Sequence, residues 1–522
     1  HSGTRNISYI PGILVLSDNK TYGHNKGKGK NANALLYKCI PDDKRMPIFL
    51  IPYIQKTGFS KKYENKYVLF HYSQWVDKHP IGVLDNILGE VSILGSYYEY
   101  QLYCKSLYAS IQNFTRKANN CIKEMALEST INEIMERNPR IQERRSEKII
   151  TIDSETTNDY DDAISIIDSY YNDVYCKRIS IYISNVAIWM EELGLWKSFS
   201  ERVSTIYLPD RKRPMMPTIL SESLCSLKAK TDKFTFVMDI YMDVSTGSIL
   251  HTDYNNAIIC VKKNHIYDSN ELKTDKMYMD LYRNVVLMHD NQKYTKYIKT
   301  SVDVVSYLMI LMNHYTANKL ILYNTGIYRS TQYIENNRLP VESDLPDDIQ
   351  QFLKAWNSGA GTYTKYDNRQ AHSVMNIESY IHITSPIRRL VDLLNIIEVQ
   401  RQIGIYDFSS DAMEFCNSWY NRLDYINQTM RDIRKVQTDC SMLELLTNNP
   451  NLNESIYDGY VFDKTVRDDG MYQYAVYINK LRLVSRITVP YDIENYSVLQ
   501  FKIYIFEEED TFRKKIRLQV FV

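Results

Sequence analysis

No uncharged apolar run in the 522 residues approaches the ~18 positions that a membrane-spanning helix needs. The longest, residues 304–312, is bounded by Asp303 on one side and by Asn313 and His314 on the other, and reads as a buried helix. CxxC pairs are missing too. The eight cysteines are scattered at Cys39, Cys104, Cys121, Cys176, Cys225, Cys260, Cys416 and Cys440, which excludes a zinc ribbon or a dense disulfide framework and fits a reducing compartment. Without a repeat of about 20 to 50 residues or a low-complexity block, solenoid arrays are excluded. Glycine is scarce, at 17 against 44 tyrosines, a bias that suggests an A+T-rich coding sequence and carries no chemistry. The sequence opens on His1, Ser2, Gly3 and Thr4 with no charged-then-apolar segment, which reads as a trimmed terminus of a cytoplasmic protein, a nuclear setting being compatible.

Net charge is absent as well, with 63 Lys and Arg against 63 Asp and Glu. That excludes a uniformly basic nucleic-acid binder, but the average hides an asymmetry. Residues 1–80 carry 13 basic and 5 acidic side chains, a balance of +8, so residues 81–522 hold −8; residues 457–522 are balanced at 10 and 10. The length exceeds what one hydrophobic core organises, so two to four domains are expected. The apolar content of 44% and charged content of 24% are those of a folded globular chain.

Between residues 7 and 108, short β-rich runs (47–53, 67–72) alternate with polar turns, the pattern of a small barrel. Its glycine-rich loop carries Lys26, Lys28 and Lys30. Basic residues interleaved with Tyr, Phe and Trp75 suit a surface that neutralises phosphates and stacks bases, although solvated turns produce a similar pattern. Residues 112–137 read as helical, and the basic segment 137–148, with Arg144 and Arg145, as a solvated face or linker. β-rich runs then dominate to residue 244, and helical periodicity takes over from Asp303, making one α+β domain. Ala412, Phe415, Trp419, Leu423, Ile426, Met430, Ile433 and Val436 form the apolar stripe of a single last helix. Residues 447–454 break it. Alternation returns over 457–522, with a hairpin turn at Asp468, Asp469 and Gly470, as a second small barrel. The expected domains are 5–110, 111–449 and 450–522.

Two segments carry chemistry. In the first, Asp153, Asp159, Asp161 and Asp162 fall within ten residues just after a β-prone run. So many carboxylates repel one another unless a cation holds them. Oxygen-only ligands of this kind suit Mg²⁺ or Mn²⁺, and two such ions can activate a water and stabilise a leaving oxygen on a phosphodiester. An acidic surface turn is the competing reading, and an EF-hand loop lacks its required Gly and terminal Glu. The second segment runs from Tyr380 through His382, Thr384, Ser385, Pro386, Arg388 and Arg389 to Asp392. Pro386 favours a helix start and Thr384 or Ser385 a cap, so a positive helix end beside two arginines forms an anion site. An ordinary capped helix whose arginines pair with Asp392 fits the same residues.

Together the segments resemble the RNB catalytic domain of the ribonuclease II family, whose signatures are an IDxxxxxDxDDA run and a YxHxTSPIRR run more than two hundred residues apart. Supporting matches follow in order: residues 202–209 with Tyr207, then Pro214 and Pro217, Leu220 and Ser221, residues 224–227, and His372 eight residues before Tyr380. Residues 41–47, with Trp75 and Pro80, resemble the second cold-shock barrel of the eukaryotic branch that includes the exosome's catalytic subunit. The resemblance implies an α+β multidomain protein, an RNB fold flanked by OB-type barrels. It implies a processive, metal-dependent 3′-to-5′ exoribonuclease that hydrolyses single-stranded RNA to nucleoside 5′-monophosphates with two Mg²⁺ or Mn²⁺ ions, as a monomer away from membranes. Asp153, Asp159, Asp161 and Asp162 would hold the metal, with Asp161 and Arg388 catalytic and Arg388 on the scissile phosphate. Tyr207 would stack on the terminal base, and Arg389, His382, Ser385, Lys26, Lys28 and Lys30 would contact RNA.

Departures accompany the match. Tyr182 and Asn185 stand where the family has His and Asp, and Tyr307 where a Glu is expected, all three assigned to the channel wall. Ile396 and Ile397 replace a His-Arg pair, and Tyr328 is the candidate for a second stacking aromatic. These are the departures of a viral or divergent member. They also suit a competing class, an RNB-fold RNA-binding protein without turnover that acts as a repressor or scaffold. A DNA-directed nuclease would need a site blind to the 2′-OH.

Overall fold

The computed structural model describes residues 8–26, 33–55, 63–75, 77–331, 339, 341, 344–358, 361–373, 375–508 and 513–521. The chain forms two compact units: His1–Tyr108, Tyr207–Lys212 and Asp432–Val522 make one, Ala109–Ile206 and Arg213–Arg431 the other. Both β-rich ends of the chain thus fall in the same unit.

In the first unit, strands β1 (Ile10–Leu14), β2 (Leu35–Pro41), β3 (Phe49–Tyr53), β4 (Lys66–Gln74) and β5 (Ile81–Glu90) close into a barrel in the order β1-β2-β3-β5-β4. All pairings are antiparallel except β3 with β5. Tyr37 and Cys39, Phe49 and Ile51, and Val68 and Phe70 each point inward at a spacing of two, the strand period, and form the barrel core with Ile10 and Leu14. A Cβ at Gly12 would meet the Phe70 ring at 2.9 Å and Cys39 Sγ at 3.0 Å, so only glycine fits this barrel wall. Helix α1 (Leu94–Cys104) stacks Tyr100 on Tyr67 at 4.3 Å between ring centroids.

The second unit opens with helices α2 (Gln112–Lys123) and α3 (Leu127–Arg137) and strands β6 (Gln142–Glu143), β7 (Ile150–Asp153), β8 (Asp162–Tyr171) and β9 (Val174–Ser184). Helix α4 (Val186–Glu192), short strands β10 (Ile206–Tyr207) and β11 (Lys212–Arg213), whose Tyr207 and Lys212 count with the first unit, then β12 (Asp232–Asp243), β13 (Ile249–Cys260) and β14 (Lys263–Ile266) follow. Seven of these strands form one sheet in the order β14-β7-β8-β9-β12-β13-β6. Because β7 ends at Asp153 and β8 begins at Asp162, the aspartate-rich segment is the loop joining two neighbouring strands.

Helices α5 (Asn270–Thr274), α6 (Lys276–Asn291) and α7 (Ser301–Ile321), the pair β15 (Ile327–Ser330) and β16 (Thr362–Lys365), α8 (Asp347–Asn357), α9 (Leu390–Ile403), α10 (Ser410–Tyr420) and α11 (Leu423–Asn448) complete the series. The apolar run 304–312 lies inside α7, whose first turn is closed by a capping box between Thr300 and Asp303. Residues 390–400 of α9 are all buried, so its polar members must be satisfied. Asn395 does this with the backbone of Ile327 and His382, and Gln400 with Asn185.

The tail of the chain, in the first unit, is a barrel-like antiparallel sheet of β17 (Ile456–Val466), β18 (Tyr472–Ile478), β19 (Leu483–Val489), β20 (Val498–Glu508) and β21 (Arg513–Val520), ordered β19-β18-β17-β20-β21. Gly470, at φ +77°, sits in the turn that Arg467 and Met471 close, as the Asp-Asp-Gly signal predicts.

Two expectations are corrected here. The stripe 412–436 is two helices rather than one: at Arg422 the backbone N–H reaches only Trp419 O, three residues back, and this tight turn separates α10 from α11. Nor is segment 137–148 a solvated linker. Arg144 is 5% exposed and donates to both Asp239 carboxylate oxygens, at 2.8 and 2.5 Å, while Arg145 pairs with Glu143 and Asp232. The segment supplies β6, an edge strand parallel to β13, and the buried guanidinium pins it to the sheet.

Candidate active site

The 154–161 loop is tied down at several points. The Tyr160 N–H donates to Ser226 Oγ, that hydroxyl donates to Asn158 O, and Leu227 N–H donates to Tyr160 O. Ser184 N–H donates to Asp161 O at 2.8 Å, so the loop re-enters the sheet with the Asp161 side chain already committed to one direction. That carboxylate is 4% exposed. Its Oδ1 accepts from Ile387 N–H at 3.0 Å and its Oδ2 from Arg388 Nε at 3.0 Å. The two sequence segments therefore meet at one side chain.

The partner segment is held with equal definition. Ser385 N–H donates to Asp392 Oδ1 at 2.7 Å, and Arg389 Nη2 to the same oxygen at 2.9 Å. Arg388 Nη2 donates to Ser385 Oγ at 3.0 Å, and Arg388 O accepts from Thr205 N–H at 2.9 Å. Helix α9 starts at Leu390, not at Pro386 as expected. Residues 386–388 form a separate turn folded onto Ser385 O, and Arg389 is extended, because Asp392 draws in Ser385 while Asp161 draws Ile387 and Arg388. The expected helix end beside two arginines does not form at this turn, since α9 begins at Leu390 and Arg389 is held by Asp392. A backbone N–H and a guanidinium converge on a carboxylate, but it is the protein's own Asp161.

Electrostatics mark this loop apart. Burial pushes Asp153 up to about 6, with Asp159 adding to the rise and the Thr151 hydrogen bond and Arg388 opposing it. Burial likewise pushes Asp161 up to about 7 despite Arg388 and the Ile387 N–H. Asp162 is driven well above the carboxylate range by burial and then by Asp153 and Asp161. Tyr267, whose N–H donates to Asp153 O at 2.9 Å, is raised by burial and by the charges of Asp162 and Asp153. The cluster is short of positive charge, which Arg388 only partly supplies.

These residues fit a hard divalent cation in their chemistry. All donors are oxygens, and Asp153 Oδ2 is buried with no hydrogen-bond partner among the described residues. They are not drawn tight around one point: among the described residues, no three His, Cys, Asp or Glu side chains form a metal-holding group. Asp161 is instead engaged by Arg388.

The other expected site residues lie partly at this turn and partly elsewhere. His382 Nδ1 lies 2.7 Å from Tyr363 OH, and burial together with Arg389, Arg329 and His372 holds the ring neutral, well below its ordinary pKa. Ser385 is buried and Arg389 is committed to Asp392. Tyr207 is 42% exposed and belongs to the first unit, where its N–H donates to Gln437. Lys26 is exposed in that unit; Lys28 and Lys30 lie outside the described residues.

Four expected wall or stacking positions are interior. Tyr182 is fully buried with its hydroxyl on Glu147 and Ser165, and Asn185 Nδ2 donates to Asn256 and Gln400. Tyr307 donates to Gln292 O, and Tyr328, 1% exposed, donates to Thr325 O. They lie on core-facing positions of β9, α7 and β15 and at the start of α4, so none lines a surface. Ile396 and Ile397 are likewise core. The Ser226 staple and the Ile387 N–H were not anticipated; backbone donors and lone serines leave no pattern in a sequence.

Residues 141–277 match the family model of the RNB domain. The DIS3-like exonuclease 2 of Schizosaccharomyces pombe is 29% identical over 208 residues, 38% of this chain and 22% of that protein. Ribonuclease R of Mycoplasmopsis pulmonis is 33% identical over 138 residues, 26% of this chain and 18% of that protein. The matched stretch thus spans less than a quarter of either relative. Among solved structures, Mycoplasma genitalium RNase R in complex with ribose-methylated single-stranded RNA superposes with a TM-score of 0.71 at 16% identity, covering 98% of this chain and 89% of that one. Yeast Ssd1, described as a pseudonuclease, gives 0.64 at 14% identity over 95% and 66%. At such identities the two structures speak for the fold.

Proposed function

Since the chain carries an RNB domain, we propose that it is a 3′-to-5′ exoribonuclease that degrades single-stranded RNA processively to nucleoside 5′-monophosphates, with divalent metal ions bound. The observation that carries this reading is the contact of Asp161 with Ile387 N–H and Arg388, which brings an acidic loop and a cationic turn 226 residues apart to one place. Relatives named exonuclease and ribonuclease support it. Asp153, Asp159, Asp161 and Asp162 would hold Mg²⁺ or Mn²⁺, which supplies an activated water and offsets charge on the leaving oxygen. Arg388 orients the substrate: Asp161 and Ser385 fix its guanidinium plane, and at 44% side-chain exposure it remains within reach of a phosphate. The exposed ring of Tyr207 suits stacking on a terminal base, and discrimination against DNA would come from contacts to the 2′-OH.

The test uses 3′-labelled and 5′-labelled single-stranded RNA with Mg²⁺, then with EDTA. Mononucleotides released from the 3′ end, and their loss on chelation, are the expected result. A ladder of short oligomers without mononucleotide, or cleavage indifferent to EDTA, overturns the proposal, and equal competition by DNA of the same sequence overturns the RNA preference.

A second reading has its own support. The Arg388–Asp161 ion pair satisfies a carboxylate that metal would otherwise claim, and the fold is shared with a protein described as a pseudonuclease. An RNB-fold RNA-binding repressor or scaffold would bind RNA and yield no product at any Mg²⁺ or Mn²⁺ concentration.

A further inference from the structure

A cavity of about 330 Å³ lies in the second unit between α5, α6 and the start of α7, and none of the four aspartates or Arg388 lines it. Its volume falls at the lower end of the ~300–1,000 Å³ typical of small-molecule sites. Three cations line it, Lys273, Arg283 and Lys299, against one carboxylate, Asp268. Among the described residues none of these three exposed cations has a carboxylate within ion-pair distance; the Lys299 ammonium rests 4.0 Å from the Tyr297 ring centroid and acts at longer range on Asp303 and Asp347. Asp268 does not neutralise them at close range. Its Oδ1 accepts from Ser301 N–H at 3.0 Å, while its own N–H donates to Ser301 Oγ at 2.8 Å, a reciprocal pair that fixes the cavity floor to the first residue of α7. The remaining wall is apolar and partly aromatic, with Tyr278 buried and Tyr282 held by its hydroxyl on Ile298 O.

Three cations with no close ion pair, beside a wall that includes Tyr278 and Tyr282, complement a small anion that carries a flat apolar body. We propose that this cavity binds a nucleoside phosphomonoester, its phosphate on Lys273, Arg283 and Lys299 and its base against Tyr282. The site is separate from the carboxylate loop and needs neither RNA nor a divalent ion. It does lie close in sequence to that loop's support: Tyr267, one residue before Asp268, donates its N–H to Asp153 O at the end of the parallel β7–β14 pair.

The experiment titrates the full chain, in EDTA, with uridine 5′-monophosphate, uridine and inorganic phosphate by calorimetry. Uridine 5′-monophosphate should bind at one site per chain, at least tenfold more tightly than uridine or phosphate alone. The pair Lys273→Glu and Arg283→Glu should weaken it at least tenfold, and Tyr282→Ala should weaken the nucleotide while leaving phosphate unchanged. Should the charge reversal fail to fold, Lys273→Gln with Arg283→Gln tests the same contacts. Equal nucleotide affinity in the wild type and the charge variants overturns the proposal, as does phosphate binding as tight as nucleotide binding. A site that ignores free nucleotide but takes a short RNA or an acidic peptide also overturns it. Because no cleavage is measured, a chain that degrades RNA yet ignores nucleotide sinks this inference alone, and the converse sinks only the nuclease reading.

Discussion

Asp161 concentrates the consequences of any single substitution, because one nearly buried carboxylate joins the acidic loop to the Arg388 turn. Asp161→Asn keeps an acceptor for Ile387 N–H and removes the charge. RNA binding should stay within about threefold, while cleavage, followed by single-turnover kinetics, falls by two orders of magnitude, about 2.7 kcal/mol of barrier. Cleavage within about threefold of wild type, some 0.7 kcal/mol, would remove this carboxylate from the chemistry. The raised carboxylates also fix a pH signature. Asp153 and Asp161 titrate at about 6 and about 7 when folded, above their ordinary 3.8, so the folded chain binds more protons than the unfolded one across that window. Their stabilising protonation is complete below about 3.8 and lost as pH rises through 6 to 7. A bound cation offsets that loss. The rise in Tm on adding Mg²⁺ should therefore grow between pH 5.5 and 8, and a rise that is the same at both ends contradicts the assignment. Taking the difference between Mg²⁺ and EDTA cancels the opposite trend from His372, which is held down to about 4 by burial and Arg329.

At the scale of elements, two tethers decide whether the site has its shape. Asp392 anchors both Ser385 and Arg389 ahead of α9 and has no exposure of its own. Asp392→Ala strands the Arg389 charge and frees the turn, so urea unfolding should show a loss of about 2–4 kcal/mol with cleavage falling alongside. The Arg144–Asp239 pair holds β6 against the sheet. Asp239→Ala should cost about 3–5 kcal/mol, whereas replacing both partners with apolar residues of similar size should recover most of that. If Asp239→Ala leaves the urea midpoint unmoved, the pair is dispensable and the segment behaves as the linker that its composition suggests.

For the whole molecule the relevant quantity is where charge lies. Residues 1–80 carry the basic excess of +8 while the chain as a whole is neutral. Attraction of a polyanion should therefore come mainly from the N-terminal barrel. Replacing Lys26, Lys28 and Lys30 by Glu should weaken single-stranded RNA binding and flatten its dependence on salt, each phosphate contact contributing roughly one counterion, while cleavage of a very short oligonucleotide changes little. A salt slope equal to wild type would place RNA entry elsewhere. Arg144 and Arg145 do not offer that route, since the first is buried against Asp239 and the second is paired with Glu143 and Asp232.

Much of this protein was legible one segment at a time. Period-two apolar spacing marked the strands of the N-terminal barrel, the Asp468-Asp469-Gly470 turn marked a hairpin of the C-terminal sheet, and the apolar run inside α7 declared a buried helix, because these signals depend on neighbours a few residues away. The acidic loop and the Arg388 segment were legible as chemistry for the same reason, each being dense in one kind of group. What lay beyond the sequence was which groups meet. That Arg388 closes on Asp161, that the first turn of α9 begins four residues after Pro386, and that Tyr182, Asn185 and Tyr307 face the core all follow from strand order and helix packing over long separations. Burial and pairing are properties of that packed arrangement, and a linear pattern of residue types does not contain them.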